Sequence, residues 1–246
     1  MGSNLNCLIV GASGTLGSAV ARQLATCGAH LGLQYRTNLA GASALKSQLD
    51  ATGANCELML SGLDSEAACR ALIDDFINRY SRIDALALCA GTIDWVNWRD
   101  LTDADWQRAI FEHCMVPFYL ARYAAARMDP SRGGRIVFLS SIAPKYGGSA
   151  KTFHYAAAKA ALETAMRGLS RELARSGIRV NGVRAGFVDS PLHRPGRSAD
   201  EITARISLVP VGRAGTPDEV ASALVYLLSP LASFVNGEII TVAGGD

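Results

Sequence analysis

Short runs of apolar residues alternate along this chain with longer stretches in which apolar and polar residues recur at helical spacing. Residues 6–10 (Asn-Cys-Leu-Ile-Val) are the first such run and predict a buried strand. A helix is expected over 14–27. Residues 30–35 predict a second strand, 42–50 a helix and 55–60 a third strand. Ser65 and Glu66 open a helix that runs to about residue 80, with Ala68, Leu72, Phe76 and Tyr80 on one face. Strands over 85–89, 135–139, 179–184 and 238–242 follow, with helices over 103–128, 155–175 and 217–228. Pro117 falls inside 103–128 and is expected to kink that helix. Pro217 starts the last one, where its missing N–H is harmless. This alternation predicts an α/β fold, a doubly wound parallel sheet with helices on both faces, in one domain over 1–246. Ligands of such sheets bind beyond the carboxyl ends of the strands. The residues just after each strand are therefore where chemistry is expected.

Composition narrows the classes. Of 246 residues, 49% are hydrophobic and 19% charged, which is too apolar for a disordered chain. Lys and Arg total 24 against 22 for Asp and Glu, so the net charge is +2. No nucleic-acid partner is expected from so small a basic excess. No uninterrupted apolar run is long enough to suggest a membrane span. Met1-Gly2-Ser3-Asn4 lacks the basic start of a secretory signal. Cys7, Cys27, Cys56, Cys69, Cys89 and Cys114 form no Cys-x-x-Cys pair, and most lie in apolar runs. They read as small buried hydrophobes in a reducing compartment, so a cytoplasmic protein is expected. His30, His113, His154 and His193 are too scattered to suggest a metal site by spacing.

The first strand ends in Gly11-Ala12-Ser13-Gly14-Thr15-Leu16-Gly17. Glycines here permit a tight turn and close backbone approach to a phosphate. The helix behind them points free N–H groups and its positive dipole end at that phosphate. A purely structural turn is the alternative. The second strand ends Leu33-Gln34-Tyr35-Arg36-Thr37-Asn38 and lacks the acid that usually meets the ribose 2′-hydroxyl of NAD. Arg36, helped by the Thr37 hydroxyl, suits a 2′-phosphate instead, so NADP(H) is the expected cofactor. Arg36 is otherwise a solvated charge at a strand end.

Tyr155-Ala156-Ala157-Ala158-Lys159 places a phenol and an ammonium on one helix face. A cation one turn away favours phenolate, and such a pair can also give a proton to a developing alkoxide. The pair follows a strand ending Leu139-Ser140-Ser141 and a glycine-containing loop. Taken together, Gly11/Gly14/Gly17, Ala90-Gly91, Ser141 and Tyr155/Lys159 resemble the short-chain dehydrogenase/reductase family over essentially the whole chain. Residues 212–220 and Val242-Ala243-Gly244-Gly245 are similar to its 3-oxoacyl-carrier-protein reductase branch. The resemblance implies a Rossmann fold, a nicotinamide cofactor and a homotetramer. It implies Tyr155 as general acid/base, Ser141 bonding the substrate oxygen, and Lys159 holding the nicotinamide ribose and lowering the Tyr155 pKa. It also implies that Gly186, Val188 and Ser190 meet the nicotinamide carboxamide.

The chain departs from the family at several points. Leu88-Cys89 replace the two asparagines that brace the sheet before Ala90-Gly91. Thr15 stands where the family has a glycine, Ala185 where it has a proline, and Ser61-Gly62 near its adenine-contacting Asp. His113 takes the place of the catalytic asparagine. A neutral imidazole can donate and accept, so His113 is expected either to replace it in a proton relay or to be a satisfied core residue. One extra residue lies between Ser141 and Tyr155, in the loop 143–154.

Substrate contacts are expected from Trp95, Trp98, Lys145, Tyr146, Phe153 and His154, and from a substrate loop at about 190–212. That loop suits a mobile lid, and its His193, Arg194, Arg197 and Arg205 would greet an anionic or carrier-linked substrate. A solvated loop is the plain alternative. The expected activity is NADPH-dependent reduction of a ketone or β-ketoacyl carbonyl. Alcohol oxidation, redox-neutral epimerisation and cofactor binding without turnover are the rivals.

Overall fold

The computed structural model describes residues 5–193 and 198–246. Seven parallel strands form one sheet: β1 (Asn6–Val10), β2 (His30–Tyr35), β3 (Cys56–Leu60), β4 (Ala85–Leu88), β5 (Gly134–Ser141), β6 (Ile178–Ala185) and β7 (Ile239–Val242). Their order is β3-β2-β1-β4-β5-β6-β7. The chain winds outward from β1 to one edge, then returns and builds the other half from β4. The order reverses between β1 and β4, and a crevice opens there beyond the strand ends.

The helices are α1 (Thr15–Thr26), α2 (Leu39–Asp50), α3 (Glu66–Tyr80), α4 (Asp103–Ile110), α5 (Val116–Ala125), α6 (Ala143–Tyr146), α7 (Phe153–Leu173), α8 (Ala199–Ser207) and α9 (Pro217–Leu228). Side-chain parity along the strands divides the core. Cys7 and Ile9 of β1 and Ala85 and Ala87 of β4 pack on one face with Leu24 of α1, Leu49 of α2 and Leu224 of α9. Leu8 and Val10 of β1 and Leu86 and Leu88 of β4 pack on the other with Phe76 of α3, Leu120 of α5 and Leu162 of α7. Central strands buried on both faces must be apolar throughout, which is why β1 and β4 read as continuous apolar runs. Each fully buried Leu or Ile contributes about 1.5–3 kcal/mol of transfer free energy.

Two expectations are corrected. The helix expected over 103–128 is not continuous: a π-helical turn, Phe111–Met115, separates α4 from α5. The break therefore precedes Pro117, which sits in the first turn of α5. A proline amide cannot serve the carbonyl one turn back, and the wider turn takes up that mismatch. Strand β5 ends at Ser141, as the reading of a strand ending Leu139-Ser140-Ser141 has it, and so carries both serines. The substrate loop holds the helix α8, started by a capping box in which Ser198 and Glu201 satisfy each other's amides. The expectations for Arg194 and Arg197, and for Met1–Asn4, lie outside the described residues. Among the described residues no helix is long and apolar enough to cross a membrane. All six cysteines are free thiols, four of them buried.

Candidate active site

The turn after β1 is built from close backbone packing. Gly11 has φ +79°, and a Cβ there would lie 2.6 Å from the Ala90 Cα. A Cβ on Gly17 would lie 2.2 Å from the Gly11 carbonyl oxygen. Gly14 caps α1 without any side-chain bond, so the first amides of that helix are bare. Gln34, buried in β2, clamps the turn from beneath. Its Oε1 accepts from the Gly11 amide at 2.8 Å, and its Nε2 donates to the Ser61 carbonyl at 2.8 Å. Sequence reasoning missed this residue, although a lone amide in an apolar strand is a visible signal.

A cavity of about 980 Å³ opens above this turn. Gly11, Ser13, Gly14, Arg36, Thr37, Ala90 and Gly91 line it. Thr15, Leu16 and Gly17 lie in the first turn of α1 and do not line it. Gly62 and Asp64 form part of its wall, close to where the family's adenine-contacting acid was expected. Bare helix amides, a glycine turn and an exposed guanidinium make a donor set for a phosphate-bearing ligand. The volume lies at the upper end for small-molecule sites. These residues fit a nicotinamide dinucleotide.

A second cavity, of about 490 Å³, is lined by Ser141, Tyr155 and Gly186, with Ile93, Trp95, Tyr146 and Phe187 among its walls. Ser141 accepts from the Ala143 amide at 3.1 Å and is the neighbour that favours the Tyr155 phenolate. Burial nevertheless pushes that phenol up to about 12, and Ser141 only moderates the rise. Lys159 is 3% exposed. Its Nζ donates to the Leu139 carbonyl at 2.9 Å and stands 5.8 Å from the Tyr155 ring centre. Burial pulls Lys159 down to about 8. In this geometry the expected easing of the phenol comes from Ser141, and Lys159 is bonded to the strand end.

His113 sits on the π turn, 4% exposed. Its ring meets Tyr155 edge-on at 4.9 Å. Its Nδ1 is buried without a protein partner. A Cβ on Gly91 would lie 3.6 Å from the His113 Nδ1 and 3.9 Å from the Lys159 Nζ, so all three converge. Burial, then the Lys159 charge, pulls His113 down to about 3 and keeps the imidazole neutral. The π turn is what aims it inward.

The neighbouring Ser140 points elsewhere. Successive strand residues face opposite ways, and Ser140 donates to the Glu163 Oε1 at 2.8 Å. Arg184 Nε donates to the same oxygen at 2.7 Å, and its Nη2 pairs with the other. Neither Glu163 nor Arg184 was singled out from sequence, yet 155, 159 and 163 recur at helical spacing on one face of α7.

Other expected residues are dispersed. Gly186 lies against Ala243, where a Cβ would come within 2.5 Å of the Cα. Val188 and Ser190 are buried beside the bridge to Gly215 and line neither cavity. Trp98 is exposed beneath Arg99, and His154 is buried beside Trp106. Arg205 lines the smaller cavity, but Asp246 pairs with it, and its guanidinium lies 5.7 Å from the Phe187 ring centre. Cys89 lines the larger cavity, and burial pushes its thiol up to about 12, so it is no thiolate nucleophile.

The chain has relatives among known proteins. A family model described as enoyl-(acyl carrier protein) reductase, adh_short_C2, matches residues 11–246. The uncharacterized oxidoreductase YmfI of Bacillus subtilis (strain 168) is 35% identical over 245 residues, 98% of each chain. The 3-oxoacyl-acyl-carrier-protein reductase FabG of Vibrio harveyi is 34% identical over 240 residues, 97% of this chain and 95% of its own. The crystal structure of a dehydrogenase/reductase from Sinorhizobium meliloti 1021 superposes with a TM-score of 0.92 at 26% identity, covering 98% of this chain and 94% of its own. The chain belongs to the short-chain dehydrogenase/reductase family of oxidoreductases.

Proposed function

We propose that this protein reduces a ketone or β-ketoacyl carbonyl to an alcohol, with NADPH as hydride donor. The observation that carries the reading is that Ser141 and Tyr155 line one cavity, with Lys159 one helical turn from Tyr155. When bound, NADPH supplies the hydride that the carbonyl carbon receives. Ser141 donates a hydrogen bond to the carbonyl oxygen and orients it. Tyr155 gives that oxygen its proton, a role supported by a pKa near 12, which keeps the phenol protonated at neutral pH. Lys159 holds the nicotinamide ribose and supplies positive charge near the developing alkoxide. His113, neutral and with an unpartnered Nδ1, takes the relay position beside Lys159.

Gly11, Ser13, Gly14, Thr15, Leu16 and Gly17 carry the pyrophosphate, the first helical residues through their amides. Arg36 and Thr37 meet the 2′-phosphate. Ala90 and Gly91 approach the cofactor closely, and Gly186, Val188 and Ser190 serve the carboxamide end. The 34% identity to a 3-oxoacyl-acyl-carrier-protein reductase supports a carrier-linked thioester as substrate. The same reading makes the protein a cytoplasmic homotetramer. Exposed Leu231 and Phe234 support a face that further copies cover.

The test is NADPH consumption over a panel of β-ketoacyl thioesters and small cyclic ketones. We expect turnover on a β-ketoacyl thioester. Tyr155→Phe is expected to lower kcat by about 10³-fold or more, on the scale of losing a general acid and its oriented bond, while NADPH still binds. Turnover by that variant at the wild-type rate would overturn the assignment.

A further inference from the structure

Arg36 has a partner across the larger cavity. Its Nη1 lies 3.5 Å from the Glu112 Oε1. Arg36 follows β2 on one wall, and Glu112 comes from the π turn on the other. The second Glu112 oxygen is anchored, because the Thr92 hydroxyl donates to it at 3.0 Å. Thr92 lines the same cavity. A fixed carboxylate thus reaches from the far wall to the guanidinium read above as the 2′-phosphate ligand.

The consequence follows from charge. A 2′-phosphate approaching Arg36 competes with the carboxylate for the guanidinium and stands beside an anchored negative group. A 2′-hydroxyl does neither. It is neutral, and it can donate to a carboxylate. The end of β2 has no acid, since it reads Gln34-Tyr35-Arg36-Thr37-Asn38. Glu112 supplies a carboxylate to that end of the cavity from the opposite wall. We propose that Glu112 is a cofactor-selecting residue: by pairing with Arg36 across the cavity, it weakens binding of the 2′-phosphate and narrows the preference for NADPH over NADH. The inference rests on the reading of Arg36 as the phosphate ligand. Side-chain exposures of 52% for Arg36 and 27% for Glu112 mean that water screens the pair, so the effect is several-fold rather than many orders of magnitude.

The test is titration of NADPH and NADH against the intact protein, read by protein fluorescence, for wild type, Glu112→Gln and Arg36→Ala. Glu112→Gln keeps the shape and removes the charge. Its ratio Kd(NADH)/Kd(NADPH) is expected to rise about fivefold, on the scale of one screened charge pair. Arg36→Ala is expected to lower the same ratio by about tenfold, the loss of one charge-assisted phosphate contact. If Arg36→Ala lowers the ratio and Glu112→Gln moves it less than about twofold, the proposal fails while the reading of Arg36 stands. If Arg36→Ala leaves the ratio unchanged, the reading of Arg36 fails and takes the proposal with it.

Discussion

Ser140 and Ser141 are adjacent on one strand and belong to two different kinds of polar cluster. On the Ser140 side every charge is answered. Glu163 accepts from Ser140 and from both ends of the Arg184 fork. On the Ser141 side the groups are strained electrostatically. A phenol is pushed up to about 12, an ammonium pulled down to about 8, and an imidazole pulled down to about 3. The His113 Nδ1 has no protein partner at all. Buried polar groups are normally satisfied, so the unpartnered His113 Nδ1 and the shifted groups around it make the Ser141 side the candidate for chemistry, and the satisfied Ser140 cluster the candidate for structure. The helix α7 carries both, with Tyr155 and Lys159 in the first set and Glu163 in the second.

The two clusters should separate cleanly by mutation. The largest effect on folding is expected at Glu163. Glu163→Ala leaves Arg184 and Ser140 without their acceptor and should lower the unfolding free energy by about 2–4 kcal/mol, measured by urea denaturation. A loss below about half a kcal/mol would show the cluster to be no structural clamp.

The opposite sign is expected at Lys159. Below pH 8 both folded and unfolded chains hold the lysine proton, and the fold carries the full penalty of the buried cation. Between about 8 and the ordinary 10.5 the folded chain releases that proton first, so stability rises with pH across this window. Lys159→Met should therefore be more stable than wild type at pH 7 by about 2 kcal/mol, with the gain fading above pH 10. Turnover should be lost in the same variant. Equal stability at both pH values would contradict the burial penalty.

The smallest effect is a slope. His113 is held neutral to about pH 3, against an ordinary 6.5. As pH falls below 6.5 the unfolded chain gains a proton that the folded one refuses, so stability falls. His113→Asn should remove about 2 kcal/mol of the loss between pH 7 and 5. The same variant tests the relay, since a pH–rate profile identical to wild type would exclude a proton role for His113.

Much of this was legible in the sequence because strand and helix periods differ. The apolar runs at 6–10 and 85–88 required a strand buried on both faces, and the alternation with amphipathic stretches required a doubly wound sheet. Gly11 and Gly17 were legible because only glycine accepts those backbone contacts. The π turn was not, because its residues read as continuous helix and the extra residue per turn shows only in hydrogen bonding. Glu163 and Arg184 were invisible as a pair because 21 residues and a change of element separate them. Glu112 and Arg36 are 76 residues apart, and nothing local marks either as the other's neighbour.

By itself, then, the sequence determined the order of elements, the glycine turn and the Tyr155/Lys159 spacing, all of which depend on contacts within a few residues. Tertiary structure decided which serine shares a cavity with the phenol, that His113 is neutral with an unpartnered Nδ1, that Lys159 bonds the end of β5, and that a carboxylate opposes Arg36. Those facts depend on burial and on groups brought from distant segments. Desolvation and long-range charge are properties of the packed interior, and no local pattern encodes them.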